Sequence, residues 1–424
     1  MKFKLLRHIA PLVFAGLFAA CAADIDVEPP AEPVEDDEYA DVTFSVNTGD
    51  VNTFTRADGE NNGIGSGSNV DMLIYAVYIL DESKEVDGDS ETLDTGDGRY
   101  VLLTQYSKGI DKSLAGCEAL NSNSGSHTGQ TILNIKDPKN LNKDGEVEIV
   151  IRLMRRKKYR LAIWAQNSRT DAYDTNNLRL IKVNYNGKNN DDNRDAFCKV
   201  EVFSVSNIDA TRKISLTRPF AQINVATTDD DFKDNGKDAA GTTLTHSQIS
   251  LEGVPQYMDL VRNKVLNEEE LKNYLEDRNY FDIPEDENID ENALVTAKFS
   301  WNVFPEEGLN VNLIMEDGKT AHQSLKYLSM CYVLVPDPVI DDSKWKEEDV
   351  TDSDGNKYVD KTDPTYDEPD IPLLKVEFSS TGTGAAKMMT VEDVKVQRNL
   401  RTNILGGVNG SNSIFGNVTS TQNR

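Results

Sequence analysis

The chain has 424 residues and a formal net charge of −27, from 72 acidic and 45 basic side chains. This charge argues against a nucleic-acid-binding protein and against electrostatic docking on an anionic membrane, because both need a cationic surface. Four cysteines exclude a disulfide-rich scaffold, and four histidines leave few candidates for histidine-based metal or nucleophilic chemistry. The length suits two or three domains.

The N-terminus has the pattern of a bacterial signal peptide. Three basic residues within the first seven precede an apolar run at 9–20, which is too short for a lasting transmembrane helix. Residues 17–21, Leu-Phe-Ala-Ala-Cys, resemble a lipobox, in which the cysteine becomes the acylated first residue of the mature chain. We therefore expect a lipoprotein signal peptide at 1–20 and lipidation of Cys21. The alternative is an ordinary signal peptide that is cut nearby, with Cys21 incidental.

Strand patterns fill the body of the chain. Most are apolar runs of four to eight residues with alternation, bounded by Gly, Asn, Asp or Pro. The segment 42–46 alternates cleanly, 71–80 has the composition of a buried central strand, and 99–103 is its natural neighbour. The other predicted strands lie at 146–153, 159–165, 213–226, 295–304, 309–315, 330–335, 373–378 and 394–405.

Helix is scarce in the pattern. The best candidate is 268–277, with Asn267 as N-cap and Glu270 as its capping-box partner, and a second short helix is predicted after Thr228. Many strands with few helices indicate a mainly β fold of two tandem β-sandwiches. The predicted organisation is an acidic, proline-rich tether at 21–40, an N-terminal sandwich at 41–210 and a C-terminal sandwich at 211–424.

Motifs for enzymatic chemistry are weak throughout. The glycines at 63–67 precede a strand and do not open a helix, so they indicate a loop and not a dinucleotide site. The Asp-rich segments 231–236 and 350–355 lack the ligand spacing of a calcium-binding loop, although weak calcium sites stay open. The histidines beyond the leader lie in dispersed polar segments: His127, His246 and His322. We predict no catalytic residue, no metal site and no cofactor; a carboxylate pair can be neither nominated nor excluded among so many acids.

Several other side chains allow two interpretations. Six basic residues between 152 and 160 form either a docking patch for an acidic neighbour or a charged hairpin turn between two strands. Aromatic residues are interpreted first as core, and the alternative for Tyr173 and Trp345 is that they are exposed in loops and stack on sugars. The cysteines after Cys21 allow at most one disulfide, and free thiols are the preferred interpretation: Cys117, Cys198 and Cys331.

Four segments resemble the fimbrillin family of Bacteroidales, the outer-membrane lipoprotein precursors of type V pili. They are the lipobox-like end of the leader with its acidic tether, the strand 42–46 followed by Phe-Thr-Arg-Ala at 54–57, the strand 214–225 with its Arg-Pro-Phe-Ala-Gln core, and Val-Gln-Arg-Asn-Leu-Arg-Thr-Asn-Ile at 396–404. The last two are the more specific. Together the four run from one end of the chain to the other.

The resemblance implies a function in pilus assembly. It implies two transthyretin-like sandwiches, a lipid anchor in the outer membrane, and an arginine-specific cut between Arg56 and Ala57. The cut would release the first strand, so that Val42, Phe44 and Val46 vacate their pockets and a strand from a neighbouring subunit fills them. The implied partners are other pilin subunits and a host protein or glycan, with no nucleic acid. An open sheet edge beside an apolar groove is a physically reasonable template for such pairing.

One departure from the family concerns the C-terminal segment. Shaft subunits generally carry a longer alternating strand there, whereas the apolar residues after 404 are few, with Ile414, Phe415 and Val418 in the last stretch. This favours an accessory, anchor or tip subunit with adhesive function over a shaft subunit. The rival hypothesis is a monomeric, surface-anchored glycan-binding lipoprotein, for which we expect an exposed aromatic platform and no cut at Arg56.

Overall fold

Strands dominate the structure, which is a computed structural model. It describes residues 39–47, 69–81, 99–103, 129–185, 192–205, 211–276, 278, 289–306, 308–314, 320–336, 339–340, 366–367, 370–381, 385–396, 398, 401–406, 408 and 414–415. These ranges all fall within one compact unit, Tyr39–Arg424. The predicted division between residues 210 and 211 therefore stays a prediction.

The described ranges contain 23 strands in chain order. They are β1 (Tyr39–Asn47), β2 (Met72–Asp81), β3 (Arg99–Leu102), β4 (Thr131–Asn134), β5 (Val147–Met154), β6 (Lys158–Gln166), β7 (Tyr173–Asp174), β8 (Ile181–Val183), β9 (Ala196–Ser204), β10 (Arg212–Ser215), β11 (Phe220–Thr227), β12 (His246–Pro255), β13 (Tyr257–Asp259), β14 (Lys264–Val265), β15 (Leu294–Trp301), β16 (Leu309–Ile314), β17 (Thr320–Leu334), β18 (Val339–Ile340), β19 (Tyr366–Asp367), β20 (Asp370–Ser379), β21 (Lys387–Lys395), β22 (Arg401–Gly406) and β23 (Ile414–Phe415).

Two short α-helices, α1 (Asp229–Asn235) and α2 (Glu268–Glu276), occur where the sequence predicts them. The Thr228 hydroxyl caps α1 by accepting from the amide of Asp231. At the start of α2, Asn267 Oδ1 accepts from the Glu270 amide at 2.9 Å, and the Glu270 carboxylate accepts from the Asn267 amide at 2.9 Å. This reciprocal pair is the predicted capping box. No helix in the described ranges is both long and apolar enough to cross a bilayer.

The N-terminal half contains two stacked sheets. A three-stranded sheet has the order β10-β1-β5, and a larger sheet has the order β3-β2-β6-β9 with β4 also paired to β2. Alternate residues of β2, such as Leu73 and Val77, belong to the apolar cluster that the three-stranded sheet also enters. The other set, such as Ile74 and Ala76, belongs to the cluster of the C-terminal half. Because both faces of β2 are covered, its sequence is apolar almost without a break, as predicted.

A second pair of sheets forms the C-terminal half. Their orders are β16-β17-β11-β22-β23 and β15-β12-β20-β21, and the large apolar cluster draws on both. A small sheet, β14-β13-β8-β7, joins segments from the two halves of the chain, and β18 pairs with β19. Stacked, mostly antiparallel sheets with few helices confirm the predicted mainly β, sandwich-type fold.

Two predicted strands are each divided in the structure. The segment 213–226 splits into β10 and β11, which pair in different sheets, because Pro219 has no amide hydrogen and a backbone bridge from Cys198 to Thr217 intervenes. The predicted strand 394–405 likewise overlaps the end of β21 and, after a break, β22. Several strands are absent from the prediction, among them β4, β9 and β12, and β17 begins ten residues before the predicted segment 330–335.

Candidate functional site

The strand that carries the predicted exchange residues is the middle strand of its sheet. β1 pairs antiparallel with β5 over eight residues, from Tyr39 opposite Met154 to Val46 opposite Val147. On its other side it pairs in parallel with β10, from Phe44 opposite Arg212 to Asn47 opposite Ser215. This strand has hydrogen-bonding neighbours on both sides, so its departure would leave two unpaired edges.

The three predicted side chains all point into the core. Val42 is 7% exposed, and Phe44 and Val46 are fully buried, whereas Asp41 and Asn47 on the opposite face are exposed. Phe44 meets the edge of the Phe203 ring at a centroid distance of 5.1 Å. Full burial of an aliphatic or aromatic side chain of this size contributes about 1.5–3 kcal/mol. β1 is therefore held chiefly by three apolar side chains at every second position.

We define the β1 groove as the space that β1 occupies between β5 and β10. Its apolar surroundings come from the paired strands and from the facing sheet. All of these residues belong to one buried cluster with Val42, Phe44 and Val46: Val147, Ile149, Ile151, Leu153, Ile214, Leu216, Leu73, Tyr75, Val77, Ile79, Tyr159, Leu161, Ile163 and Phe203. A vacated groove would therefore expose apolar surface together with unpaired backbone groups of both neighbours.

Ser45, which faces away from the core side of β1, is also buried. Ser45 is 3% exposed, because the turn that ends at Glu146 folds over it. The Ser45 hydroxyl donates to the Glu146 carboxylate and accepts from Asn142 Nδ2 at 2.9 Å. Asn142 Oδ1 in turn accepts from the amides of Asp144 and Glu146, and Gly145 takes the left-handed φ of +78° that closes the turn. The hydrogen bond from Ser45, followed by that from Asn142, lowers the pKa of the Glu146 carboxyl.

The basic residues 152–160 lie in the turn between β5 and β6 and in the adjoining strand ends, and one of them binds the start of β1. Arg155 Nε donates to the Tyr39 carbonyl at 3.1 Å, and Arg156 has a φ of 62° in the turn. Arg160 is buried, lies 4.0 Å from the centre of the Tyr100 ring and donates to the Val261 carbonyl. The cluster is therefore not one exposed patch. The structure agrees with the interpretation of this segment as a charged hairpin turn.

The junction between β10 and β11 is fixed by a buried ion pair. Arg218 Nε and Nη2 each lie 2.7 Å from one carboxylate oxygen of Asp195, and both side chains are almost inaccessible to solvent. The Arg218 guanidinium also lies over the Phe197 ring at 4.3 Å. Arg218 belongs to the Arg-Pro-Phe-Ala-Gln segment, whereas Asp195 carried no recognisable signal in the sequence. This pair holds one wall of the β1 groove to the start of β9.

Tyr173 is not the exposed sugar-stacking residue that the sequence allowed. It is 8% exposed, its hydroxyl donates to the Arg194 carbonyl, and its ring packs against Trp164 and Phe220. Tyr173 and Tyr185 contribute to the wall of a polar depression of about 660 Å³. The Tyr185 hydroxyl donates to the Pro255 carbonyl at 2.9 Å. Neither ring offers a free face in this depression, so it lacks the aromatic platform that the glycan-binding hypothesis requires.

Several predicted residues lie outside the described ranges: Cys21, Arg56, Ala57, Cys117, His127, Trp345 and Val418. Cys198 and Cys331 are buried thiols, and burial raises the pKa of Cys331 well above its usual value. Within the described residues, no three His, Cys, Asp or Glu side chains gather in a metal-binding arrangement. The Asp-rich segment from 231 lies largely in α1 and is not a calcium-binding loop.

Comparison with known proteins finds one matching family and a set of weakly similar solved structures. A family of unknown function (DUF6562) matches residues 119–326, a little under half of the chain. No curated protein is significantly similar in sequence. A fimbrial assembly protein from Parabacteroides distasonis is 11% identical, with 88% of this chain and 93% of that chain covered and a TM-score of 0.31. A candidate cell adhesion protein from Bacteroides ovatus is 10% identical, with 91% and 96% covered and a TM-score of 0.31.

Proposed function

We propose that the protein is a fimbrial subunit of the bacterial cell surface that is assembled by exchange of β1. The observation that carries this proposal is the position of β1. It is the middle strand of its sheet, its side chains Val42, Phe44 and Val46 are buried, and the segment that follows it contains Arg56. Its removal leaves a groove that only another strand can fill without leaving backbone groups unpaired.

Proteolysis is the step that makes exchange possible in this proposal. While β1 is joined to β2 through the chain, it competes with any incoming strand as an intramolecular ligand at high effective concentration. Hydrolysis between Arg56 and Ala57 adds one water across the peptide bond and gives a carboxylate and a new amino terminus. β1 is then held only by contacts within the groove, so a strand from another subunit can displace it. Repetition of this head-to-tail contact produces a filament.

The remaining parts of the proposal concern location and partners. The precursor reaches the outer membrane as a lipoprotein, with acyl chains on Cys21, and is exposed at the cell surface. Its partners are other fimbrial subunits and, in an adhesive role, a host protein or glycan. The activity is structural, needs no cofactor and involves no nucleic acid, which agrees with the acidic charge. The short apolar stretch at 414–418 supports an accessory, anchor or tip subunit.

The test is limited digestion of the folded mature protein with an arginine-specific protease. N-terminal sequencing should identify Ala57 as the new terminus. A denaturing gel without boiling should then show whether the cut chain forms resistant multimers. Arg56→Lys is the matched control, because it keeps the charge and removes the cleavage site.

Each result has a defined meaning. A cut with multimers supports a self-assembling subunit, and a cut without multimers supports an accessory subunit that needs another subunit's strand. Resistance at Arg56 together with a persistent monomer contradicts the proposal and favours the anchored glycan-binding lipoprotein.

A further inference from the structure

We propose that the β1 groove selects its incoming strand by a polar contact as well as by apolar pockets. The contact is made by the Asn142 and Glu146 side chains, which we call the Ser45 site. The strand that fits contains an aromatic residue followed directly by serine or threonine. It also has large aliphatic residues two positions before and two positions after the aromatic residue. This inference rests on the proposed strand exchange and names the partner that it requires.

The Ser45 site satisfies a hydroxyl in both of its hydrogen-bonding roles. The Ser45 hydroxyl donates to Glu146 and accepts from Asn142 at 2.9 Å, and the turn leaves the residue 3% exposed. An alanine would leave the carboxylate and the amide without this partner. A valine would place methyl groups against them. Asn142 and Glu146 are half-buried, and a hydrogen bond to a charged carboxylate contributes more than one between neutral groups, so its loss should weaken binding at least about tenfold.

The hydroxyl also settles a register that the apolar pockets leave ambiguous. A shift of one residue turns every apolar side chain outward, but a shift of two keeps an apolar pattern inward. One such shift places Asn47 at the Ser45 site. The other places Thr43 there, but it also puts Val42 in the Phe44 position beside Phe203. Only an aromatic residue followed directly by a hydroxyl residue satisfies both positions.

The sequence indicates that the occupant comes from a different protein. In the segment 413–418, one set of alternate residues is Ile, Gly and Val, and the other is Ser, Phe and Asn. Neither set supplies three large apolar side chains, and the phenylalanine is followed by glycine. The other aromatic residues followed directly by serine or threonine are Phe54, Tyr106, Phe203, Phe299 and Phe378, and none has large aliphatic residues at both positions two before and two after it. Of the segments in this sequence, only β1 therefore matches the pattern.

The experiment measures peptide exchange into the cut full-length chain. An engineered protease site in place of residues 54–57 makes the cut independent of the natural protease. The probe is a fluorescent peptide of residues 39–47, followed by anisotropy. We expect it to displace β1, the Ser45→Thr peptide to bind comparably, and the Ser45→Ala and Ser45→Val peptides to bind at least about tenfold more weakly.

Variants of the protein locate the discrimination. In Glu146→Ala the difference between the Ser and Ala peptides should largely disappear. In Asp144→Ala, which removes an exposed carboxylate from the same turn, the difference should remain. The peptide series alone decides the matter if Glu146→Ala does not fold.

The outcomes separate this inference from the proposed function. If the unmodified peptide does not enter, strand exchange itself fails and both proposals fall. If it enters but the Ala and Val peptides bind equally well, strand exchange stands and selection by the Ser45 site is overturned. A peptide of residues 411–420 should not enter, and its entry would overturn the assignment of the occupant to a different protein.

Discussion

Phe44 lies in the middle of the β1 groove, where it has no exposure to solvent and contacts the edge of Phe203. Phe44→Ala removes a ring from a core that cannot fully collapse around the gap, so we expect a loss of about 3–5 kcal/mol in the free energy of unfolding. Chemical denaturation of the full chain measures this. Asp41→Ala, an exposed change on the same strand, should stay within about 0.5 kcal/mol. Equal effects would show that β1 is not docked as described.

The retention of β1 in its groove should depend on pH through the Glu146 carboxyl group. Hydrogen bonds from Ser45 and Asn142 lower the pKa of this carboxyl below 4.5, its ordinary value, and Lys213 adds a weaker attraction. The stabilisation is therefore complete above pH 4.5 and is lost as the pH falls through the lowered pKa of the folded state. We expect peptide exchange to accelerate below that pH in the cut chain. In Glu146→Gln the acceleration should be smaller, and an unchanged profile would contradict the role of this carboxylate.

The buried pair Asp195–Arg218 should be costly to break on one side only. Arg218→Met leaves the Asp195 carboxylate buried without its partner, and we expect a loss of about 3–5 kcal/mol in the free energy of unfolding. The double variant Asp195→Leu, Arg218→Met removes both charges and should recover most of that loss. Denaturation of the two single variants and the double variant completes the cycle. Additive losses would show that the two side chains do not act as a pair.

At the scale of elements, the capping box that the sequence predicts can be tested at the start of α2. Asn267→Ala removes the acceptor for the Glu270 amide, and we expect a loss of about 1 kcal/mol in the free energy of unfolding. Asn273→Ala makes the same chemical change at an exposed position inside the helix, where alanine is the better helix former. It should therefore be neutral or slightly stabilising. Equal losses at the two positions would rule out the cap as the cause.

Local signals predicted individual elements well. The alternation at 42–46, the apolar run at 71–80 and the capping box at Asn267 each specify one element with its neighbouring residues, and each is present in the structure. The pairing of β2 with β3 was also predicted, because a neighbouring strand of matching composition follows it in the chain. Signals of this kind depend on residues that are close in sequence.

Features that depend on distant residues were not predictable. The parallel pairing of β1 with β10 joins segments that lie far apart in the chain, and nothing in 42–46 indicates it. The same holds for the cover over Ser45, because nothing in the sequence of residues 142–146 indicates their contact with β1. Tyr173 appeared to be a loop residue because its neighbours are polar, yet Trp164 and Phe220 enclose it. Burial of this kind follows from tertiary packing and not from local composition.

At the scale of the whole molecule, the charge of −27 opposes compaction. We expect the thermal unfolding midpoint at pH 7 to rise as sodium chloride increases from 0.01 to 0.3 M. Most of the rise should come below about 0.1 M, as the Debye length falls from about 30 to about 10 Å. The same titration at pH 4.5, the isoelectric point of the sequence, is the matched control, and there the rise should almost vanish. Equal rises at both pH values would point to general salt effects on hydrophobic burial.

The same charge bears on the choice of partner. Two copies of so acidic a chain repel one another at low salt, which slows every contact between identical subunits. A subunit with a basic surface beside its free strand is attracted instead, and its association with the cut chain should slow as salt is added. Stopped-flow association of the cut chain with candidate strand peptides that carry lysine or glutamate tails, from 0.01 to 0.3 M salt, measures this. We expect the lysine-tailed peptide to enter faster than the glutamate-tailed peptide at low salt, and the two rates to converge at high salt. Equal rates at low salt would contradict this expectation.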